Sequence, residues 1–181
     1  MEGILAITGA SGVIYGIRLL ENLKGKVNLV ISEGAKKIIE DETEYKVDNL
    51  YKYAYKVYKN TEIGAPIASG SYPFSFMIIC PASISTISKI SVGIQDNLIT
   101  RAAAVALKEK RKLIIVPRET PLTSINLRSM ANLSDDGAVI LPAMPAFYHN
   151  PKDVDGIINF IVGRILDQVD IENNLFKRWG T

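Results

Sequence analysis

A doubly wound parallel α/β sheet is predicted by three features of the chain. Five short runs, residues 3–8, 26–32, 74–80, 112–116 and 138–141, are rich in Ile, Val and Leu without clear alternation. Strands apolar on both faces belong to a parallel sheet covered by helices. Helical patterns lie between these runs, which gives the βαβαβ alternation of that class. Finally, the first run breaks at Gly9-Ala10-Ser11-Gly12 and then takes on helical character. A strand, a glycine turn and a helix N-terminus together make a cradle for an anion, because the glycines let the backbone turn tightly and the free N–H groups point at the ligand. Gly9, Gly12 and Gly16 do not have G-x-G-x-x-G spacing, so the turn points to a phosphate-bearing ligand without naming a dinucleotide.

The elements follow in order. The first helix runs from after Gly12 to about Lys24. Ser32, at the end of the second strand, is placed to cap a helix whose apolar face carries Ala35, Ile38 and Ile39. Residues 45–71 are irregular and hold Tyr45, Tyr51, Tyr53, Tyr55 and Tyr58. They read as a surface excursion, a subunit contact or a short extra strand. The third run turns through Pro81-Ala82-Ser83-Ile84-Ser85-Thr86 into a helix. A helix over about 97–110 shows Leu98, Ala102, Val105 and Ala106 on one face. Others are expected over about 124–133 and 153–169.

Composition narrows the class. The chain has 181 residues, 48% hydrophobic and 22% charged, which suits one domain over 1–181 with a sizeable core. Its tail, from about residue 170 to 181, is expected to pack on the site or on a neighbouring subunit. A net charge of +2 from scattered basic residues argues against a nucleic-acid partner. No segment reaches membrane-spanning length without charges, and the N-terminus goes straight into a strand, so a cytoplasmic protein is expected. The one cysteine, Cys80, and the one histidine, His149, exclude an internal disulfide and leave a standard zinc site without ligands. Cys80 reads as a buried structural thiol, and no metal is expected.

Ligands of such sheets sit beyond the C-terminal ends of the strands. All five ends carry small, hydroxylated or charged residues: Thr8 to Gly12, Ser32 and Glu33, Ser83 to Thr86, Arg118-Glu119 between prolines, and Tyr148-His149. The hydroxyls of Thr8 and Ser11 stand where a phosphate or reacting atom would be. Each feature has a plainer alternative. Ser83 would also serve as a helix cap, Arg118-Glu119 as a rigid exposed turn, and His149 as a surface or capping residue. Of Glu40, Asp41, Glu42 and Glu44 only one need face the site, and spacing does not say which. Arg101 and Lys108, seven apart, share a helix face. Arg164, among Ile161, Val162, Ile165 and Leu166, is either snorkelling or paired with an anion.

Several motifs, in order from about Gly3 to Gly180, closely resemble the UbiX-type flavin prenyltransferases. They are Thr8-Gly9-Ala10-Ser11-Gly12, Ala68-Ser69-Gly70-Ser71, Asp96-Asn97-Leu98, Arg101-Ala102-Ala103 with Ala106-Leu107-Lys108-Glu109, and Pro117-Arg118-Glu119-Thr120-Pro121. To these are added Gly137-Ala138-Val139-Ile140-Leu141-Pro142-Ala143, Pro145-Ala146-Phe147-Tyr148, Val162-Gly163-Arg164-Ile165-Leu166-Asp167 and Arg178-Trp179-Gly180. The resemblance implies a three-layer Rossmann-like (flavodoxin-like) fold in a homo-oligomer, commonly a dodecamer. It implies FMN as cofactor and transfer of a dimethylallyl group from dimethylallyl phosphate to N5 and C6 of reduced FMN. Prenylated FMN then serves a UbiD-type decarboxylase.

Carried over motif by motif, the resemblance places Gly9, Ala10, Ser11, Ser32, Ser83, Ile84, Ser85, Thr86 and Arg118 at the flavin. It places Lys108, Arg118, Glu119, Tyr148 and Arg164 around the prenyl phosphate. Ser11, Glu42, Lys108 and Glu119 are the catalytic candidates, with Glu42 identified by counting ten residues past Ser32. Two departures stand out: Pro81-Ala82-Ser83 where the family often has Pro-Cys-Ser, and Gly64-Ala65-Pro66-Ile67 where an aromatic residue sometimes precedes Ala-Ser-Gly-Ser. The second alters the expected prenyl pocket. Two rival classes remain. Flavin-dependent cysteine decarboxylases of related fold use a histidine soon after the second strand, where Glu33-Gly34-Ala35-Lys36-Lys37 stands here. A silent flavin-binding protein would not need Lys108, Tyr148 and Arg164.

Overall fold

The computed structural model describes residues 1–180; Thr181, the last residue of the expected tail, lies outside them. Six strands, β1 (Glu2–Ile7), β2 (Lys26–Ile31), β3 (Lys56–Lys59), β4 (Phe76–Ala82), β5 (Lys112–Pro117) and β6 (Val139–Ile140), form one parallel sheet in the order β3-β2-β1-β4-β5-β6. The helices are α1 (Val13–Asn22), α2 (Glu33–Glu42), α3 (Val47–Leu50), α4 (Ile84–Ser91), α5 (Leu98–Lys108), α6 (Ser124–Asp135) and α7 (Val154–Gln168). With β3 set aside, the order is the flavodoxin-like 2-1-3-4-5, and the winding reverses between β1 and β4.

The unbroken apolar runs explain the centre of the sheet. Ile4, Leu5, Ala6 and Ile7 are wholly buried, as are Met77, Ile78 and Ile79 on the neighbouring strand. Alternate residues feed two cores. One lies under α1, α2 and α7 and takes in Leu5, Ile7, Ile17, Ile39 and Ile161; the other lies under α4, α5 and α6 and takes in Ile4, Ala6, Ile87, Ala102 and Leu133. The chain therefore leaves β1 toward one face and β4 toward the other, and a crevice opens between the two turns.

The tyrosine-rich segment resolves into α3, a short 3₁₀ turn (Tyr51–Tyr53) and β3. The sequence of β3, Lys-Val-Tyr-Lys, buries only Tyr58. Lysines along an exposed edge discourage further strand pairing. β4 continues two residues past the run read from the sequence, through Pro81, where its register against β5 shifts between Ile79 and Ala82. Proline is tolerated there because such an irregularity needs no ladder N–H from it. Cys80 is fully buried as expected, and burial pushes its thiol well above the usual range.

α1 crosses β4 at Gly16, where a Cβ would overlap the Cys80 backbone carbonyl oxygen. The backbone cannot retreat without opening the crevice. Gly16→Ala is expected to cost about 1–3 kcal/mol by overpacking, read as a lower urea midpoint at unchanged slope.

Candidate functional site

The crevice is pinned by Thr8. Its hydroxyl donates to the Pro81 carbonyl oxygen at 2.8 Å and accepts from the Ser83 N–H at 2.7 Å. Its own N–H donates to the same carbonyl at 3.2 Å. The residue is 2% exposed. The expectation that the Thr8 hydroxyl faces a ligand is corrected: it is buried, and it donates and accepts within the protein, joining the turn after β1 to the turn after β4.

On the β1 side, Gly9 to Gly12 lead into α1. Gly12 has φ +90°, the left-handed region that favours glycine, and stands at the N-cap position with no side-chain cap on the helix. Its N–H instead donates to a Glu42 carboxylate oxygen at 2.8 Å. Of the Glu40–Glu44 group, Glu42 is therefore the acid that meets the glycine turn. This contact also shows that the turn accepts an anion, since a carboxylate sits on the positive end of α1. Ser11 is exposed beside it, and its carbonyl oxygen accepts from Arg118 Nε at 3.1 Å. Tyr15, a residue the sequence reading passed over, packs against Gly12 opposite the Arg118 stem: a Cβ on Gly12 would lie 3.2 Å from the Tyr15 ring and 3.7 Å from Arg118 Cγ. Burial pushes the Tyr15 phenol up. The signal was available, since Tyr15 lies three residues past Gly12 on the first turn of α1.

The other walls are helix starts. Ser32 Oγ accepts from Ala35 N–H at 3.2 Å and caps α2; Gly34 there runs beside Gly9, a Cβ on which would lie 3.5 Å from the Gly34 carbonyl carbon. Ser83 Oγ accepts from Thr86 N–H at 3.3 Å and lies 3.0 Å from Thr86 Oγ1, so the capping reading of Ser83 is the one seen. Ile84 and Thr86 are half-buried and Ser85 is exposed on the first turn of α4. Gly9, Ala10, Ser11, Ser32, Glu42, Ser83 to Thr86 and Arg118 are thus gathered around one crevice. Three helix N-termini, two of them with hydroxyl caps, a glycine turn and a guanidinium are a donor set suited to the phosphate and polar ring edge of FMN.

Beyond Arg118 the crevice opens into two adjoining hollows. One, of about 270 Å³, is lined by Arg118, Glu119, Thr120, Pro142, Ala143 and Met144. The second, of about 260 Å³, is apolar apart from Glu119, with Leu122, Leu127, Met130 and Ile140 on its walls. Each is slightly below the range of ~300–1,000 Å³ typical of small-molecule sites. A further hollow, of about 460 Å³, lies at the β3 edge beside Lys56, Tyr58 and Pro66, away from these turns.

The remaining predicted phosphate ligands are not brought to Arg118 within one chain. Lys108 ends α5 and lies where β5 begins, beside Glu109 at 3.5 Å and the Gly70 backbone. The six residues of β5 separate that edge from Arg118 by roughly 20 Å at the strand rise. Arg101, on the same helix face, donates to the Ala68 carbonyl oxygen at 3.3 Å and to Gln95 at 2.6 Å. Tyr148 and Arg164 belong to a third place, the outer side of α7. Tyr148 meets the Phe160 and Trp179 rings edge-on at 5.8 and 5.2 Å. Arg164 is exposed, and its Nη1 lies 3.7 Å from Asp167 Oδ2, near enough for charge attraction but not for a hydrogen bond. His149 stacks on Phe160 at 5.0 Å, with Nε2 3.3 Å from the Gly156 carbonyl oxygen, rather than lying on the surface. The tail packs on this side of α7: Arg178 forks onto Asp167 at 2.8 and 3.0 Å and holds that carboxyl below its usual range.

The comparisons agree with this geometry. A model of the Flavoprotein family matches residues 2–166. The flavin prenyltransferase UbiX of Thermoplasma acidophilum is 51% identical over 180 residues, covering 99% of this chain and all of its own. The chain belongs to the UbiX flavin prenyltransferases. Among solved structures, this family member superposes on AnUbiX (PadA1) in complex with FMN and dimethylallyl pyrophosphate with TM-score 0.97 at 39% identity, covering 99% and 97% of the two chains. It superposes on a dodecameric FMN-dependent UbiX-like decarboxylase from Escherichia coli O157:H7 with TM-score 0.98 at 40% identity, each chain fully covered. Among the described residues, no helix is long and apolar enough to cross a membrane.

Thr8 is the brace of this prenyltransferase crevice. Thr8→Val keeps the shape but strands the Ser83 N–H, so it should cost about 1–3 kcal/mol. A lowered melting temperature together with weaker FMN binding in a fluorescence titration would register both effects.

Proposed function

We propose that the chain transfers a dimethylallyl group from dimethylallyl phosphate to reduced FMN, and that the prenylated FMN formed serves a UbiD-type decarboxylase. The observation that carries this reading is the meeting of the glycine turn, Glu42 and Arg118 at the β1/β4 crevice, in a chain of this family. Gly9, Ala10, Ser11, Ser32, Ser83, Ile84, Ser85, Thr86 and Arg118 hold FMN, which when reduced supplies the nucleophilic N5 and C6 positions. Lys108, Arg118, Glu119, Tyr148 and Arg164 surround the donor phosphate. As the allylic C–O bond breaks, its electron pair stays on the phosphate, and the charge that builds there is held by Lys108, Arg164 and the Tyr148 phenol beside Arg118. Glu119, at the mouth of an apolar hollow, is placed to relay a proton to the departing phosphate. Ser11 and Glu42 act where the new bond forms. The cysteine decarboxylase reading finds no support in the second turn, where α2 begins Glu33-Gly34-Ala35 and His149 lies in the aromatic stack.

The donor site is shared between copies of the chain. Arg118, Lys108 and Arg164 stand in three separate places, and a rim of exposed apolar side chains, Ile125, Leu127, Met144, Phe147 and Trp179, is what a subunit contact covers. A homo-oligomer, a dodecamer as described for the Escherichia coli relative, brings the places together.

Anaerobic incubation with reduced FMN and dimethylallyl phosphate, or the pyrophosphate in parallel, should add one prenyl unit to the flavin mass. Unmodified FMN with every donor would overturn the reading. For the shared site, Ser11→Ala and Lys108→Ala should each lose most activity, and refolding them together should restore about a quarter of the sites, those drawing both wild-type residues from different chains. A mixture no better than either variant would place both residues in one chain's site.

A further inference from the structure

The C-terminal tail engages the carboxylate nearest Arg164. Asp167 lies three residues past Arg164 on α7, at the spacing where helix side chains of opposite charge pair. Yet Arg164 Nη1 stays 3.7 Å from Asp167 Oδ2, beyond hydrogen-bond reach. Asp167 is occupied instead by Arg178, whose Nη1 donates to Oδ2 at 3.0 Å and whose Nη2 donates to Oδ1 at 2.8 Å, and by Asn173 Nδ2 on Oδ1 at 3.1 Å. Packing sets the position of this fork. The Arg178 guanidinium lies over the Phe176 ring, 5.3 Å from its centroid, and the Phe176 ring sits where a Cβ on Gly163 would fall. Trp179, next along the tail, meets Tyr148 edge-on at 5.2 Å. The tail therefore touches Tyr148 directly and reaches Arg164 only through their shared neighbour Asp167.

We propose that Arg178 is a positioning residue for Arg164: by taking both oxygens of Asp167 in a fork, it keeps that carboxylate from capturing the Arg164 guanidinium and leaves the Arg164 donors for the phosphate. A forked Arg–carboxylate pair outcompetes a single-point contact, which is why the more distant arginine wins Asp167 and the helical neighbour does not. The role rests on the reading that Arg164 holds the donor phosphate.

The test is calorimetric titration of the FMN-loaded protein with dimethylallyl phosphate, alongside KM and kcat. It compares the wild type, Arg164→Ala, Arg178→Met, and Arg178→Met combined with Asp167→Asn. Bound FMN and circular dichroism report that each variant is folded. Arg178→Met should weaken donor binding about fivefold and raise KM to match, with kcat nearly unchanged. Adding Asp167→Asn should restore binding, because no carboxylate is left to capture Arg164. A tail that served only as a strap would leave the double variant as weak as the single one. Normal binding by Arg178→Met, or no recovery in the double variant, while Arg164→Ala is weak, would overturn the positioning role alone. Normal binding by Arg164→Ala would instead overturn the assignment of Arg164 to the phosphate.

Discussion

One hydroxyl holds the crevice together. In a doubly wound sheet the two strands at the reversal send their helices to opposite faces, and here the registered pairs of β1 and β4 end at Ala6 and Ile79, short of both turns. Thr8 joins the turns by using a hydroxyl's ability to donate and accept at once, on the Pro81 carbonyl oxygen and the Ser83 N–H. The start of α4 is thereby referred to the end of β1. Since α1 begins four residues after Gly9 and lies on β4 at Gly16, both helix N-termini inherit one frame. The N–H donors of these turns are then positioned by backbone rather than by long side chains, the arrangement that costs least to keep ordered for an anionic ligand.

Charge is arranged around that frame in compensating pairs. Glu42 rests on the Gly12 N–H and Arg118 on the Ser11 carbonyl oxygen, so the turn carries an acid on its positive side and a cation on its carbonyl side. On the far side of α7 the Asp167 carboxylate lies between two arginines. A chemistry that releases a phosphate and leaves the electronics to flavin needs few reactive side chains but needs their charges poised. On the proposed reading, the separation of Lys108 from Arg118 makes assembly part of the site rather than an addition to it.

The sheet was legible because buried parallel strands are written as unbroken apolar runs: all five runs read from the sequence are strands, within two residues at either end. β3 is not legible in this way, because an edge strand of four residues with one buried side chain has no such run. Pro81 reads as a stop, yet β4 passes through it where the register slips. In the site, the glycine turn and the caps Ser32 and Ser83 were legible from local chemistry. The partner of Gly12 was not, since Glu42 is thirty residues away, and only the resemblance singled it out. Thr8 was misread because a threonine after a strand can serve a ligand or a loop equally well, and only the register of β4 decides. The placement of Lys108 was implied by the topology: a residue that ends a helix leading into a strand lies where strands begin. The Asp167–Arg178 fork left no local signal beyond an acid and a base eleven apart.

A crystal structure of the oligomer with FMN and dimethylallyl phosphate bound tests the central claim most directly. The account predicts the FMN phosphate on the turns tied by Thr8, and a donor phosphate touched by residues from more than one copy of the chain. A flavin bound away from the β1/β4 crevice, or a donor phosphate enclosed by one copy alone, would contradict it.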